Sequence, residues 1–359
     1  MTLKQQLKKF LKGNSRRDAS FTLIELVIVI GILAILAVVV IIVLNPSELL
    51  RQARDSNRLS DLQTINSAIA QYQADGGTSL GQTNKVYVSI PSSQGNCSDL
   101  GLPTLPDNWF YSCSDSGNYR KVDSNGWIPV NLTSISFGSS LDILPIDPIN
   151  ATSSGNYYTY VTGGSWELTT SLESEKYFKN TLKDGGYDAS RLELGSNLTL
   201  WNQALGTEII VNGDMESASG GLTNNWGNGG CATGICTASD AESENVINGL
   251  RSQKLYRESV NHSYFRQGFS VVCNTNYRAS MVYQLNANGS NVFLGVYDIS
   301  GGGQGQLFSQ NLISDNKLHH LIIYFTVPSN CAGTAYTDAP RMEGSTGTVY
   351  IDEVSIRRR

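Results

Sequence analysis

The sequence predicts an α+β protein: a long N-terminal helix whose first half spans a membrane, a small β-rich head carried by its second half, and a separate all-β sandwich at the C-terminal end. Three observations predict this. Residues 21–44 are apolar apart from Thr22, Glu25 and Gly31. Apolar residues then recur at helical spacing as far as Tyr72. Residues 208–359 alternate apolar and polar side chains in short runs between Gly and Asn turns.

The apolar run comes first. At 1.5 Å per residue it spans about 36 Å, more than a bilayer core of about 30 Å. Lys4, Lys8, Lys9, Lys12, Arg16 and Arg17 precede it against a single Asp18. Positive flanks stay inside, so the leader is expected in the cytoplasm and everything after Leu44 outside. Asn45-Pro46-Ser47-Glu48 offers no small-x-small cleavage site, which argues against an ordinary secretory signal. Glu25 is the exception within the run. A charge there costs about 2.5–3.5 kcal/mol or more, which marks it as functional and in need of a partner.

Ala19-Ser20-Phe21-Thr22-Leu23-Ile24-Glu25, followed by Leu26 to Leu33, resembles the prepilin signal of type IV pilins and type II secretion pseudopilins. The resemblance implies that a prepilin peptidase removes residues 1–20 by cutting between Ser20 and Phe21, then methylates the new amino group. Ser20 stands where the family usually has Gly. It further implies self-association into a filament, with help from pilus or secretion assembly machinery. There the Glu25 carboxylate neutralises a neighbouring subunit's Phe21 amine. Two opposite charges attract far more strongly in low dielectric than in water, and a buried polar pair sets register between helices.

Beyond the membrane the helix is expected to continue to Asp75, loosened at Pro46, for a length of about 80 Å over residues 21–75. Leu62, Ile65, Ile69 and Tyr72 form its apolar stripe. Glu48–Arg51, Arg51–Asp55 and Arg58–Asp61 are spaced to support an exposed face. Asp75-Gly76-Gly77 stops it.

The pilin-like domain is expected over 21–195, with its head at 78–194. Tyr157–Thr162 and Trp166–Thr170 predict two strands joined at Gly163-Gly164. Leu144-Pro145-Ile146-Asp147-Pro148 ahead of them resembles the head of major pseudopilins. Glu173, Glu175 and Asp184 are expected on a solvated face, and residues 196–207 as a linker.

Within 208–359, Tyr277, Ala279, Met281, Tyr283 and Leu285 share one parity, as do Leu321, Ile323, Phe325 and Val327; such strands predict a β-sandwich. Asn212-Gly213-Asp214-Met215-Glu216, Trp226 and Tyr350 to Ile356 resemble a carbohydrate-binding jelly roll. That resemblance implies a carbohydrate partner and a structural calcium ion on Glu216 and Asp352, with Asp214 as an extra ligand. Val349 and Ile351 share one parity and Val354 and Ile356 the other, so a β-bulge is expected at Asp352-Glu353. Tyr256, Tyr264, Tyr283, Phe293 and Tyr297 are the candidate ligand aromatics, each as compatible with a core role.

Six cysteines permit fifteen pairings. Domain position favours Cys97–Cys113, Cys231–Cys236 and Cys273–Cys331, in keeping with an exported chain. A net charge of −5 gives no basic field for nucleic acid. No P-loop, dinucleotide fingerprint or nucleophile motif occurs, and His319 and His320 lie in a strand, so no enzyme is expected. The sequence thus favours a membrane-inserted, then extracytoplasmic, filament subunit displaying a binding domain. The alternative is a membrane-anchored glycan-binding surface protein that never polymerises.

Overall fold

A computed structural model describes residues 22–219, 222–229, 240–242, 246–257, 263–288, 291–298 and 305–359. The expectations for Ser20, Phe21, Cys231 and Cys236 fall outside the described residues. The chain divides into two units, 1–50 and 51–359.

In the first unit, α1 (Leu23–Leu44) is capped by Thr22. Its side chains from Leu23 to Val40 are all exposed, and that stretch is long and apolar enough to cross a membrane. α1 ends where Asn45 turns left-handed at φ 40°, and α2 (Pro46–Ala74) begins at the next residue. The single helix expected over 21–75 is therefore two helices. Asn tolerates the left-handed region, and Pro at the first helical position gives up only an amide that has no partner there.

In the second unit, α2 buries Asp55, Arg58, Leu62, Ile65, Ala68, Ile69 and Tyr72. It packs on a sheet formed by β1 (Lys85–Val88), β2 (Phe110–Ser112), β3 (Thr159–Thr162), β4 (Trp166–Thr170) and β5 (Leu192–Gly195), in the order β2-β1-β3-β4-β5. Tyr87, Tyr158, Tyr160, Trp166 and Leu168 meet the helix stripe in one core cluster. Between β4 and β5 lies the one-turn helix α3 (Glu175–Phe178). Val86, Val88 and Val161 point to the other side of the sheet, where α4 (Leu200–Leu205) covers them with Leu200, Trp201, Ala204 and Leu205. Half of the stretch expected as a linker, Leu200–Leu205, is thus a layer of the head, because its apolar residues recur at helical spacing.

Two surface expectations are corrected here. Arg58 is fully buried rather than paired with Asp61 on an exposed face. Its guanidinium is bidentate to Asp147 at 2.6 and 3.0 Å and reaches Asp55 and Glu173, each at 2.7 Å. Asp61 instead accepts from the Tyr158 hydroxyl at 2.8 Å. Glu173 also binds Arg54 at 2.7 Å, and Asp184 is half-buried, accepting from the amides of Gly186 and Glu193. Only Glu175 of that trio is exposed.

The sandwich follows α4. Its strands in chain order are β6 (Thr207–Glu208), β7 (Ala218–Ser219), β8 (Leu222–Thr223), β9 (Gly227–Gly229), β10 (Asp240–Glu242), β11 (Ser252–Arg257), β12 (Ser263–Ser270), β13 (Thr275–Asn288), β14 (Val292–Asp298), β15 (Gly305–Asn311), β16 (Leu318–Val327), β17 (Thr334–Met342) and β18 (Thr346–Arg358). One sheet runs β10-β11-β18-β13-β16 with β6 added to β18; the other runs β15-β14-β17-β12-β9. Alternate residues such as Tyr277, Ala279, Met281, Phe265, Leu294, Val296, Ile323 and Ile351 fill the space between them. The register of β13 on β18 shifts between Ser280 and Val282, opposite Glu353 at φ 51°. This is the bulge that the slipped parity predicts.

Head and sandwich share one compact unit, and the six-stranded sheet turns its outer face to the head. Arg278 donates to Asp188 at 2.9 Å and to Ser190 at 3.0 Å. Val282 packs with Phe178 and Leu182, His320 stacks on Phe178 at 6.1 Å, and Lys317 meets Glu175 at 3.4 Å. Disulfides join Cys97 to Cys113 and Cys273 to Cys331.

Candidate functional site

The first candidate site is the start of α1. Thr22 Oγ1 accepts from the Glu25 amide at 3.2 Å, and Glu25 Oε2 accepts from the Thr22 amide at 2.9 Å and its hydroxyl at 3.0 Å. This is a reciprocal capping box, which satisfies two amides that a helix start leaves unpaired. Thr22-x-x-Glu25 is its sequence signature, and the reading of Glu25 as a lone charge overlooked it. The carboxylate is therefore oriented within its own chain before it meets any other.

The second candidate lies at the Asp214, Glu216 and Asp352 corner of the sandwich. Asp352 is fully buried. Its Oδ2 accepts from Ser252 Oγ at 2.8 Å and the Asn248 amide at 3.1 Å, and its Oδ1 accepts from the Glu353 amide at 2.9 Å. Burial, then the neighbouring Glu353, pushes its pKa up to about 8. Glu216 Oε1 accepts from the amides of Leu250 and Arg251 at 2.8 and 3.3 Å. Asp214 is exposed. Among the described residues no three His, Cys, Asp or Glu side chains converge as a metal-binding set. Asp352 and Glu216 are engaged with local amides and hydroxyls, whereas Asp214 faces solvent.

The third candidate is the outer face of the five-stranded sheet, opposite the head. Tyr264, Phe293 and Tyr297 belong to this sheet. Tyr283 does not: it is 3% exposed in the sandwich core, its hydroxyl accepts from the Ile313 amide at 3.1 Å, and its ring stacks on His319. Tyr256 lies on the other sheet. The sheet also brings in residues that no sequence motif marks. Arg266 is bidentate to Asp338 at 2.6 and 3.0 Å. Its guanidinium carbon lies 3.9 Å from the ring centre of Tyr264 and 3.6 Å from that of Tyr336. Tyr336 stacks on Tyr297 at 5.1 Å. Arg341 reaches Asp338 at 3.5 Å and Glu343 at 2.5 Å.

Burial works against the Arg266 charge, and the hydrogen bond and charge of Asp338 more than offset it. Burial also raises the Tyr336 and Tyr297 hydroxyls above the ordinary tyrosine range. The usable sequence signal was parity. Tyr264 and Arg266 share one face of β12, and Tyr336 and Asp338 one face of β17.

His319 and His320 are accounted for as structure. His319 Nε2 is 2.7 Å from Asp315. Burial lowers the His320 pKa to about 3, which keeps it neutral.

Comparison with known proteins gives one family model, the prokaryotic N-terminal methylation motif, over residues 15–41. No curated protein matches. Among solved structures, a CBM4 domain is 13% identical over 42% of this chain and 99% of that one, with a TM-score of 0.34. The CBM22-1 xylan-binding domain of Paenibacillus barcinonensis Xyn10C is 16% identical over 38% and 88%, TM-score 0.31. TmCBM61, solved with β-1,4-galactotriose, is 14% identical over 43% and 100%, TM-score 0.32.

Proposed function

We propose that this chain is a structural subunit of a type IV pilus or pseudopilus that displays a glycan-binding sandwich outside the cell, and that it acts by assembly and binding rather than catalysis. The observation that carries the reading is Glu25 in an otherwise apolar helix that is exposed from Leu23 to Val40, within the methylation motif at residues 15–41. An exposed apolar helix needs lipid or other helices around it. A carboxylate among those residues needs a cation. The amine freed by cleavage before Phe21 would supply that cation from a neighbouring subunit. The chain would thus be inserted in the inner membrane with its C-terminus outside, trimmed by a prepilin peptidase, and moved into a filament by assembly machinery. The sandwich would offer its five-stranded sheet to carbohydrate, since the other sheet is occupied by the head.

The test is Glu25→Ala in the full chain, comparing the amount of protein in sheared surface filaments with the amount left in the membrane. Processing and oxidative folding of the head should persist while filament incorporation falls. Undiminished incorporation would refute the pairing. A chain that keeps its leader and stays in the membrane would favour the non-polymerising surface protein.

A further inference from the structure

We infer that the outer face of the five-stranded sheet takes an acidic saccharide, held through a sugar carboxylate at Arg266 and Arg341; this deepens, and rests on, the reading of the sandwich as a glycan-binding domain. The argument begins with what the face does not present. A neutral pyranose is commonly held by its apolar ring face against an open aromatic face. Here Tyr336 and Tyr297 are only 4% and 7% exposed. Tyr336 is covered by Arg266 at 3.6 Å and by Tyr297 at 5.1 Å, and the other near ring, Tyr264, has Arg266 at 3.9 Å. Tyr264 and Tyr336 serve as beds for a cation rather than as platforms for a sugar.

The two arginine side chains do reach solvent. The Arg266 and Arg341 side chains are 23% and 20% exposed, whereas Asp338, the carboxylate they share, is 0% exposed. Two cations thus lie against one buried anion, and the balancing Glu343 sits further out at 40% exposure. The two rings and the bidentate Asp338 hold Arg266 in place before any ligand arrives, which lowers the ordering cost of binding.

Among the described residues, Arg341 Nε and the Tyr336 hydroxyl are both buried without a hydrogen-bond partner. Both are donors, and a buried donor left unpaired is costly. An acceptor brought by a ligand would satisfy them. A carboxylate is the acceptor that matches a guanidinium edge, and charge-assisted bonds of this kind are roughly twice as strong as neutral ones.

The experiment uses the full chain in detergent, titrated calorimetrically with oligogalacturonate, with its methyl ester, and with a neutral β-1,4-glucan oligomer. Oligogalacturonate should bind, its neutral ester about 10- to 100-fold more weakly, and affinity should fall as salt rises. Arg341→Gln should weaken uronate binding by a similar factor. Glu343→Gln, on the exposed rim, should strengthen it by freeing Arg341 from its competitor, a change that a purely structural cluster would not give. Equal binding of acid and ester, or glucan binding that matches the acid, would overturn the inference while leaving a glycan-binding sandwich. Binding of none of the three would overturn this inference and the glycan-binding half of the proposed function together. Filament incorporation, read through Glu25→Ala, is independent of either result.

Discussion

Arg278 of β13 and Asp188 of the head meet at 2.9 Å with side-chain exposures of 2% and 3%. Trp201 Nε1 donates to the same carboxylate at 3.0 Å, so one aspartate ties together the loop before β5, helix α4 and the sandwich. Burial opposes its charge, and Arg278 still holds its pKa well below the ordinary aspartate range. The contact also decides which sheet is free. Arg278, Ser280 and Val282 share one face of β13, and with that face closed by the head the five-stranded sheet becomes the available surface.

Asp188→Ala should destabilise the second unit by about 3–5 kcal/mol, because it strands a buried guanidinium. Lys317→Ala, which removes a pair at 50% and 49% exposure, should change stability by less than about 1 kcal/mol. Chemical denaturation of both variants checks the contrast. Equal effects would show that the seam is not held by the buried pair.

Stability of the second unit should fall as pH rises above the ordinary carboxylate range. Glu167 Oε2 accepts from the Trp201 amide and Glu193 Oε2 from the Asp188 amide, both within hydrogen-bonding distance. Among the described residues, their Oε1 atoms are buried with no backbone or side-chain donor other than each other. Burial raises both groups, and their mutual hydrogen bond raises Glu193 further, so the pair holds a shared proton. The folded state then binds more protons than the unfolded state. Stability is full below the unfolded value of 4.5 and is lost as pH climbs towards the raised folded values. Glu193→Gln should flatten part of the slope, since its amide can donate permanently to Glu167. Asp184, raised by burial to about 6, and Asp352, at about 8, keep the remainder with the same sign. Thermal midpoints between pH 5 and 9 provide the measurement; an unchanged slope in the variant would exclude a shared proton.

The mature chain should begin at a methylated Phe21. Intact mass of protein recovered from sheared filaments decides this. Residues 1–20 found still attached there would contradict the pilin-like reading of residues 15–41.

Reducing Cys273–Cys331 opens a cross-link with a sequence separation of 58. A Cys273→Ser, Cys331→Ser double variant should lose about 4 kcal/mol in the chain-entropy model. A loss confined to the sandwich's unfolding transition, with the Cys97–Cys113 region unaffected, is the expected pattern. A peptide map joining either of these cysteines to the head would contradict the pairing.

The sequence by itself determined what depends on neighbours along the chain. Membrane-length apolarity, the Thr22-x-x-Glu25 spacing, the stripe through Leu62, Ile65, Ile69 and Tyr72, the Gly163-Gly164 turn and the slipped parity at Asp352-Glu353 are periodic or local signals. Such signals survive without knowledge of the fold. Tertiary structure alone decided the rest. Arg58 is charged, so spacing placed it outside; Asp147 and Glu173, 89 and 115 residues further on, make its burial possible. Residues 200–205 looked like a connection until the bare side of the head sheet gave their apolar face somewhere to pack. Arg266, Tyr336, Asp338 and Arg341 come from two strands far apart in sequence, and they form one surface only because β12 and β17 pair with Arg266 opposite Asp338. A one-residue change in that register would send alternate side chains to the opposite face. No local pattern encodes that pairing, because the interactions that fix it belong to the folded sandwich.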